Sequence, residues 1–161
     1  MAATVHRRES ENTNQDIADS KKDSFMNISG QCHCGEIEYE AELDPEKVGI
    51  CHCADCQALS GSAFRTIGMV AADTFRIVKG QPREYVKVGD SGNPRVQAFC
   101  GTCGSGLYAT DTGDSPAAYN IRLGTTRQRH ELAPRFECWR HSALPWLPEN
   151  RQTEKFDGNP G

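Results

Sequence analysis

Seven of the eight cysteines fall into three short clusters, and their spacing constrains the chain more than any other feature. The clusters are CHC at 32–34, CHCADC at 51–56 and CGTC at 100–103. Thiolates two or three positions apart converge readily on one metal ion, whereas such close neighbours seldom bridge each other. Seven thiolates are one short of two complete four-thiolate zinc sites. The count therefore indicates one closed site of four ligands and one open site of three.

Strand geometry indicates how the clusters are paired. Side chains two positions apart on an extended strand share a face, so Cys32 and Cys34 can present both sulfurs to one ion. His33 then points away from this ion and is not expected to bind it. By the same geometry, His52 is not expected to bind a metal ion held by the second cluster. The third cluster has the tight turn of a zinc knuckle and needs two further thiolates. The predicted structural zinc site therefore has four ligands: Cys32, Cys34, Cys100 and Cys103.

The remaining three thiolates predict a second, open zinc site, with the ligands Cys51, Cys53 and Cys56. A zinc ion with three protein ligands keeps one position for water or substrate, as catalytic zinc does. The alternative is a fourth protein ligand, Cys138 or a histidine, that closes the site. A buried cysteine that acts as a small apolar side chain is the more typical role for Cys138. Asp55 is expected to cap the helical turn rather than to take part in catalysis.

The bulk composition excludes several classes of protein. The 161 residues carry a net charge of −4, without the basic surplus of a nucleic-acid-binding domain. No apolar stretch approaches the roughly 20 residues that cross a bilayer, and residues 1–24 lack the apolar core of a signal peptide. We therefore predict a cytoplasmic protein whose thiols stay reduced and bind metal, without nucleic-acid or membrane partners. Homo-oligomer formation stays open.

The hydrophobic pattern predicts an all-β protein of small, twisted antiparallel sheets pinned by zinc. Residues 1–24 form a polar tail that we expect to be flexible, residues 25–150 a zinc domain, and residues 151–161 a C-terminal tail. A short helix is expected at 54–60. Alternation and turn residues predict strands at 36–41, 64–70, 74–78, 84–88, 95–99, 106–109, 119–123 and 136–139.

Four stretches share a recognisable combined pattern: GQCHCG at 30–35, CHCADC at 51–56 with SGSAF at 60–64, FCGTCGS at 99–105, and LPW at 144–146. Together they resemble the glutathione-dependent formaldehyde-activating enzyme family, which shares its domain with centromere protein V, over about residues 28–147. The resemblance implies an Mss4-like (β-tent) fold and the same division into structural and catalytic zinc. Two departures stand out. The family's histidine-led segment reads ECWR at 137–140, and a common lysine is replaced by Ala143.

The predicted function is that of a zinc-dependent carbon–sulfur lyase acting on a thiol and aldehyde adduct. The resemblance implies condensation of glutathione with formaldehyde to S-hydroxymethylglutathione. Glutathione carries two carboxylates, so Arg65, Arg95 and Arg122 on predicted strands are candidate partners for it. Two alternatives stay open: a non-catalytic zinc module that binds another protein, and a related enzyme with a different small thiol or aldehyde substrate.

Overall fold

Short strands make up most of the regular structure. The computed structural model describes residues 24–89 and 92–160, so the predicted tail at 1–24 lies outside the described residues except for Ser24. The described residues contain one α-helix, α1 (Ala54–Ser60). The described strands are β1 Met26–Gln31, β2 Glu38–Leu43, β3 Val48–Cys51, β4 Arg65–Ala71, β5 Arg76–Lys79, β6 Arg83–Val88, β7 Pro94–Phe99, β8 Gly106–Asp111, β9 Ala118–Arg122, β10 Phe136–Cys138 and β11 Glu154–Lys155.

The all-β prediction is confirmed. Each predicted strand and the predicted helix is present, with ends displaced by no more than two residues. The helix begins at its N-cap, Cys53, whose sulfur accepts a hydrogen bond from the amide of Cys56, and ends at Gly61 with φ 60°. This left-handed conformation favours glycine. Among the described residues, no helix has the length and apolar character needed to cross a membrane.

The strands of the described part of the chain form two sheets. A three-stranded antiparallel sheet has the order β1-β2-β5, and an eight-stranded sheet has the order β11-β10-β3-β4-β9-β8-β7-β6. The second sheet departs from the predicted antiparallel arrangement, because β10 runs parallel to both β3 and β11. Strands distant in sequence can pair in parallel, since the connection between them is long enough to return to the same end of the sheet. Within the predicted tail at 151–161, β11 therefore extends the main sheet.

The core lies between the three-stranded sheet and one face of the eight-stranded sheet. Four aromatic side chains pack together here, with neighbouring ring centroids 4.4 to 5.9 Å apart: the buried Tyr39 and Tyr108, and the partly buried Phe75 and Tyr119. Buried aliphatic residues such as Leu43, Leu107 and Ile121 surround them. Gly30 lies opposite Tyr39 in the β1–β2 ladder, where a Cβ would stand 2.2 Å from the tyrosine ring. A larger residue there would displace the tyrosine ring from the core.

The opposite face of the eight-stranded sheet carries the chemistry-bearing side chains. Alternation along each strand sends every second residue away from the core. The ladders place Cys51 beside Arg65, Ile67 beside Arg122, and Ala109 beside Gln97. These cross-strand partners share a face, because residues directly opposite each other in a sheet point to the same side. The second predicted metal site therefore belongs to the face that lies away from the core.

Candidate metal centres

A first group of four cysteines lies where the two sheets approach each other. The sulfurs of Cys32, Cys34, Cys100 and Cys103 all lie within 4.8 Å of one another. The Cys32–Cys34 sulfur distance is 3.5 Å, and the Cys34–Cys100 distance is 3.7 Å. Four sulfurs at about 2.3 Å from a common zinc ion stand about 3.8 Å apart, so this group fits tetrahedral coordination.

Two similar turns present these four sulfurs. In the first, the amide of Gly35 donates to the carbonyl of Cys32 over 3.0 Å; in the second, the amide of Gly104 donates to the carbonyl of Cys100 over 2.9 Å. Both glycines have φ 75°, which lets the chain fold back tightly beside the sulfurs. The backbone amide of Ile37 also approaches the Cys32 sulfur at 3.3 Å. Amide dipoles of this kind stabilise a thiolate ligand.

A second group of three cysteines lies at the junction of β3 and α1. Cys51 is the last residue of β3, Cys53 is the helix N-cap, and Cys56 lies in the first helical turn. Their sulfurs also lie within 4.8 Å of one another. Cys51 is buried, while Cys53 and Cys56 are half-buried. Three converging sulfurs fit a metal ion that keeps a fourth position for another ligand.

The electrostatics of this group favour a bound cation. Hydrogen bonds from Cys51 and then Cys56 lower the pKa of Cys53 to about 2. The contacts that Cys56 makes with Cys51 and Cys53 raise its own pKa. Without metal, the three neighbouring thiols share hydrogen bonds and protons among themselves. A divalent cation would replace those protons, because thiolates are the form that binds metal.

Cys138 lies beside this group without completing it. It is opposite Cys51 in the parallel β3–β10 ladder and only 4% exposed. Its hydrogen bond is the largest cause of the raised pKa of Cys51. However, the set of sulfurs that lie within 4.8 Å of one another contains the three clustered cysteines and not Cys138. The structure therefore places Cys138 against one sulfur of the group, rather than at the fourth corner of a tetrahedron.

The histidines lie outside both sulfur groups in the described part of the chain. His52 is buried, and its Nε2 lies 2.9 Å from Oε2 of Glu137. Glu137 also accepts hydrogen bonds from Thr153, at 2.7 Å, and Arg140, at 2.9 Å. The amide of His52 donates to the carbonyl of Cys138. This buried network fixes the loop that carries the second sulfur group to the strands beside it.

A cavity of about 480 Å³ opens beside the second sulfur group. All three of its cysteines line the cavity, and so does Cys138. Side chains on the outward face of the eight-stranded sheet line the cavity, together with residues on or just after its two edge strands, β6 and β11. The lining also includes Asp55, Lys87, Arg95, Gln97, Asp111, Arg122, Trp139, Asn159 and Pro160.

Cations in and around the cavity differ in their partners. Lys87 pairs with Asp55, and Arg95 pairs with Asp111. Arg122 instead donates a 2.7 Å hydrogen bond to the neutral amide oxygen of Gln97. Burial, and next the nearby charge of Arg65, lower the pKa of Arg122 to about 10, so it still carries its charge at neutral pH.

The three arginines singled out from the sequence thus have different places. Arg122 and Arg95 line the cavity, whereas Arg65 is buried in β4 opposite Cys51. Sequence reasoning missed Glu137, Gln97 and Trp139. A carboxylate between Phe136 and Cys138, in a short apolar strand, was a signal for a buried polar network. Gln97 had no comparable signal, since its role depends on which face of β7 meets the cavity.

An all-β scaffold that gathers two separate cysteine groups, one of them beside a cavity, is an architecture that could hold metal ions through cysteine ligands. The sequence model described as "GFA: Glutathione-dependent formaldehyde-activating enzyme" matches residues 27–142, which include both groups. The chain belongs to this family. No curated protein matches it significantly. A solved crystal structure of a Rhodobacter sphaeroides protein is 18% identical with a TM-score of 0.48, covering 80% of this chain and 98% of that one.

Proposed function

We propose that the protein is a zinc-dependent carbon–sulfur lyase-type enzyme that joins a thiol to an aldehyde, with glutathione and formaldehyde as substrates. One observation carries the proposal. Three cysteine sulfurs converge on the wall of a cavity that is large enough for a small molecule. None of the clustered cysteines takes the fourth position of a tetrahedral metal site at this group. Membership of a family named for this activity supports the choice of substrates.

Two zinc ions per chain belong to this proposal. The first would be held by Cys32, Cys34, Cys100 and Cys103 in a structural role, and the second by Cys51, Cys53 and Cys56 at the reaction site. When bound at the second site, zinc supplies a positive charge that favours the thiolate form of a ligand thiol. The free cysteines of the described chain fit a reducing compartment, and we place the protein in the cytoplasm.

The chain's own residues would position the reactants. The sulfur of glutathione would lie at the position that the three cysteines leave open, and formaldehyde would approach it from the cavity. The sulfur then forms a bond to the carbonyl carbon, and the proton lost by the thiol ends on the carbonyl oxygen. The buried network around Glu137 would keep the loop bearing His52 fixed while this happens, because every polar contact of its carboxylate lies within the protein.

Arg122 is the residue that we assign to a carboxylate of glutathione. Its guanidinium lines the cavity and hydrogen-bonds a neutral amide, whereas Lys87 and Arg95 are paired with carboxylates of the protein. A guanidinium can bind a carboxylate through two parallel hydrogen bonds, and desolvation strengthens this pairing. A substrate carboxylate would therefore gain more at Arg122 than at the two cations that are already paired.

The test combines metal analysis with binding and turnover. Purified protein should contain two zinc ions per chain, bind glutathione in a calorimetric titration, and accelerate the loss of formaldehyde only when glutathione is present. A zinc content near one would contradict the two-site proposal. If millimolar glutathione neither binds nor accelerates the loss of formaldehyde, these substrates are wrong for this chain. Binding and turnover of another small thiol or aldehyde would then identify the related enzyme class.

A further inference from the structure

One wall of the metal cavity is built from residues that the family match does not include. The match ends at residue 142, yet Asn159 and Pro160 line the same cavity as the three clustered cysteines. They lie in the segment 156–160, which follows β11. Trp139 lines the cavity too, and it comes directly after Cys138. This side of the cavity therefore combines Trp139, inside the matched range, with two residues that lie beyond it.

The 156–160 segment is attached to Trp139 and its neighbours by a run of hydrogen bonds. The amide of Trp139 donates to the carbonyl of Gly158 at 3.0 Å, and the amide of Arg140 donates to the carbonyl of Phe156 at 3.1 Å. The indole Nε1 of Trp139 donates to Oδ1 of Asn159 at 2.9 Å. Both the backbone and the ring of the tryptophan are thus held by the same segment.

The backbone of Trp139 adopts an unfavourable conformation. Its φ is 57°, and no other described residue except glycine has a positive φ. A bulky side chain rarely occupies this left-handed region, and such residues cluster at binding and active sites. Glycine would be the unstrained choice for the turn between β10 and the following 3₁₀ helix, Arg140–Ser142. The strain in the backbone of Trp139 must therefore be offset by the contacts of its half-buried ring.

We propose that Trp139, held by the 156–160 segment, is the specificity-determining residue of the cavity. Its indole is the surface against which the part of the thiol substrate beyond the sulfur packs. The inference rests on the proposed function, because it needs a thiol bound at the three-cysteine group. An aromatic ring offers a large apolar contact, and its rigid attachment lowers the entropic cost of forming that contact. A thiol with a long body gains from this wall, whereas a very short thiol does not reach it.

The chain contains two tryptophans, which makes a direct test possible. Trp146 is 69% exposed and does not line the cavity, so Trp146→Phe leaves Trp139 as the only indole reporter. Titration of this zinc-loaded variant with glutathione should change the intensity or wavelength of its tryptophan emission. The reciprocal variant, Trp139→Phe, should show unchanged emission. Unchanged Trp139 emission at concentrations where calorimetry shows saturated binding would overturn the inference and leave the proposed function standing.

A kinetic test separates specificity from general damage. Asn159→Ala removes the hydrogen bond that holds the indole, without touching the tryptophan itself. The KM for glutathione should rise about two- to tenfold, the range expected for loss of one aromatic contact. The KM for 2-mercaptoethanol, which lacks a body to reach the ring, should stay unchanged, and so should the zinc content. Equal rises for both thiols would overturn the inference. Absence of glutathione binding to the wild-type protein would overturn the proposed function and this inference with it.

Discussion

The two cysteine groups use the same ligand chemistry in opposite surroundings. The four-cysteine group lies between the β1–β2 turn of one sheet and the β7–β8 turn of the other, and its residues do not line the metal cavity. The three-cysteine group lies on a cavity wall, with cations on the sheet floor near it. The group with four cysteines brings separate backbone segments together. The group with three cysteines faces the cavity, where a small molecule can bind. This difference in surroundings is the basis for proposing a structural role for the first group and a catalytic role for the second.

Loss of a ligand should have its largest effect in the four-cysteine group. Cys100→Ser should destabilise the protein by about 5 kcal/mol or more, because the free energy of binding a structural metal is also free energy of folding. Circular dichroism on heating and zinc analysis would measure the loss of the folded state. Thr102→Ser, within the same turn but outside the ligand set, is the matched control. A Cys100→Ser protein that melts like the wild type would contradict the structural role proposed for the four-cysteine group.

The equivalent change in the three-cysteine group should spare the fold. Cys53→Ser should lower the zinc content from two to one, reduce turnover by about 100-fold or more, and leave cooperative unfolding in place. Zinc analysis, formaldehyde consumption and a melting curve on one preparation would measure all three. Collapse of the whole fold in this variant would erase the difference between the groups and favour two structural sites.

A third test concerns the positive charge that Arg122 contributes to the cavity. Arg122→Gln should raise the KM for glutathione by about 10- to 100-fold with a smaller change in kcat, as expected for loss of one charged hydrogen-bonded contact that binds the ground state and transition state alike. Arg95→Gln is the matched control, because Arg95 lines the same cavity but is paired with Asp111. Steady-state kinetics would compare the two variants. Equal effects would show that the general positive field, rather than Arg122, attracts the substrate.

The smallest effect is expected at Cys138. Cys138→Ala should retain two zinc ions and nearly unchanged turnover, while losing about 1 kcal/mol of stability from a small buried side chain. Zinc analysis and urea unfolding would measure both. A drop to one zinc ion would instead identify Cys138 as a fourth ligand. The second group would then be as closed as the first.

Local patterns predicted much of the fold. Alternating residues marked β2 and β5, and an apolar run marked β4, each to within two positions, and the CHCADC stretch marked the start of α1. The predicted strands did not include β1, whose alternating sequence MNISGQ has only two large apolar residues, the four-residue β3, or β11, which is two residues long. The parallel pairing of β10 with β3 was missed as well. Such a ladder depends on contacts across more than 80 residues, which local periodicity does not encode.

The candidate site shows the same limit. Cysteine spacing was enough to group the seven thiolates, because ligands two or three positions apart carry their own geometry. Gln97, Glu137 and Asn159 contribute single side chains from separate elements, and only the folded register brings them to the cavity or behind it. Arg122 could be named as a candidate cation but could not be told apart from Arg95. The difference between them is the presence of a carboxylate partner, which is a property of the assembled sheet.

The positions of the ligands along the chain bear on the order in which metal is acquired during synthesis. Cys51 to Cys56 are six consecutive residues, so a nascent chain holds the complete three-thiolate set as soon as this stretch has emerged. The four-thiolate group needs Cys34 and Cys100 together, 66 positions apart, and closing so long a loop has an entropic cost. The site proposed for catalysis is therefore the first that can be loaded with metal. The site that joins the sheets is completed only after most of the domain has been made.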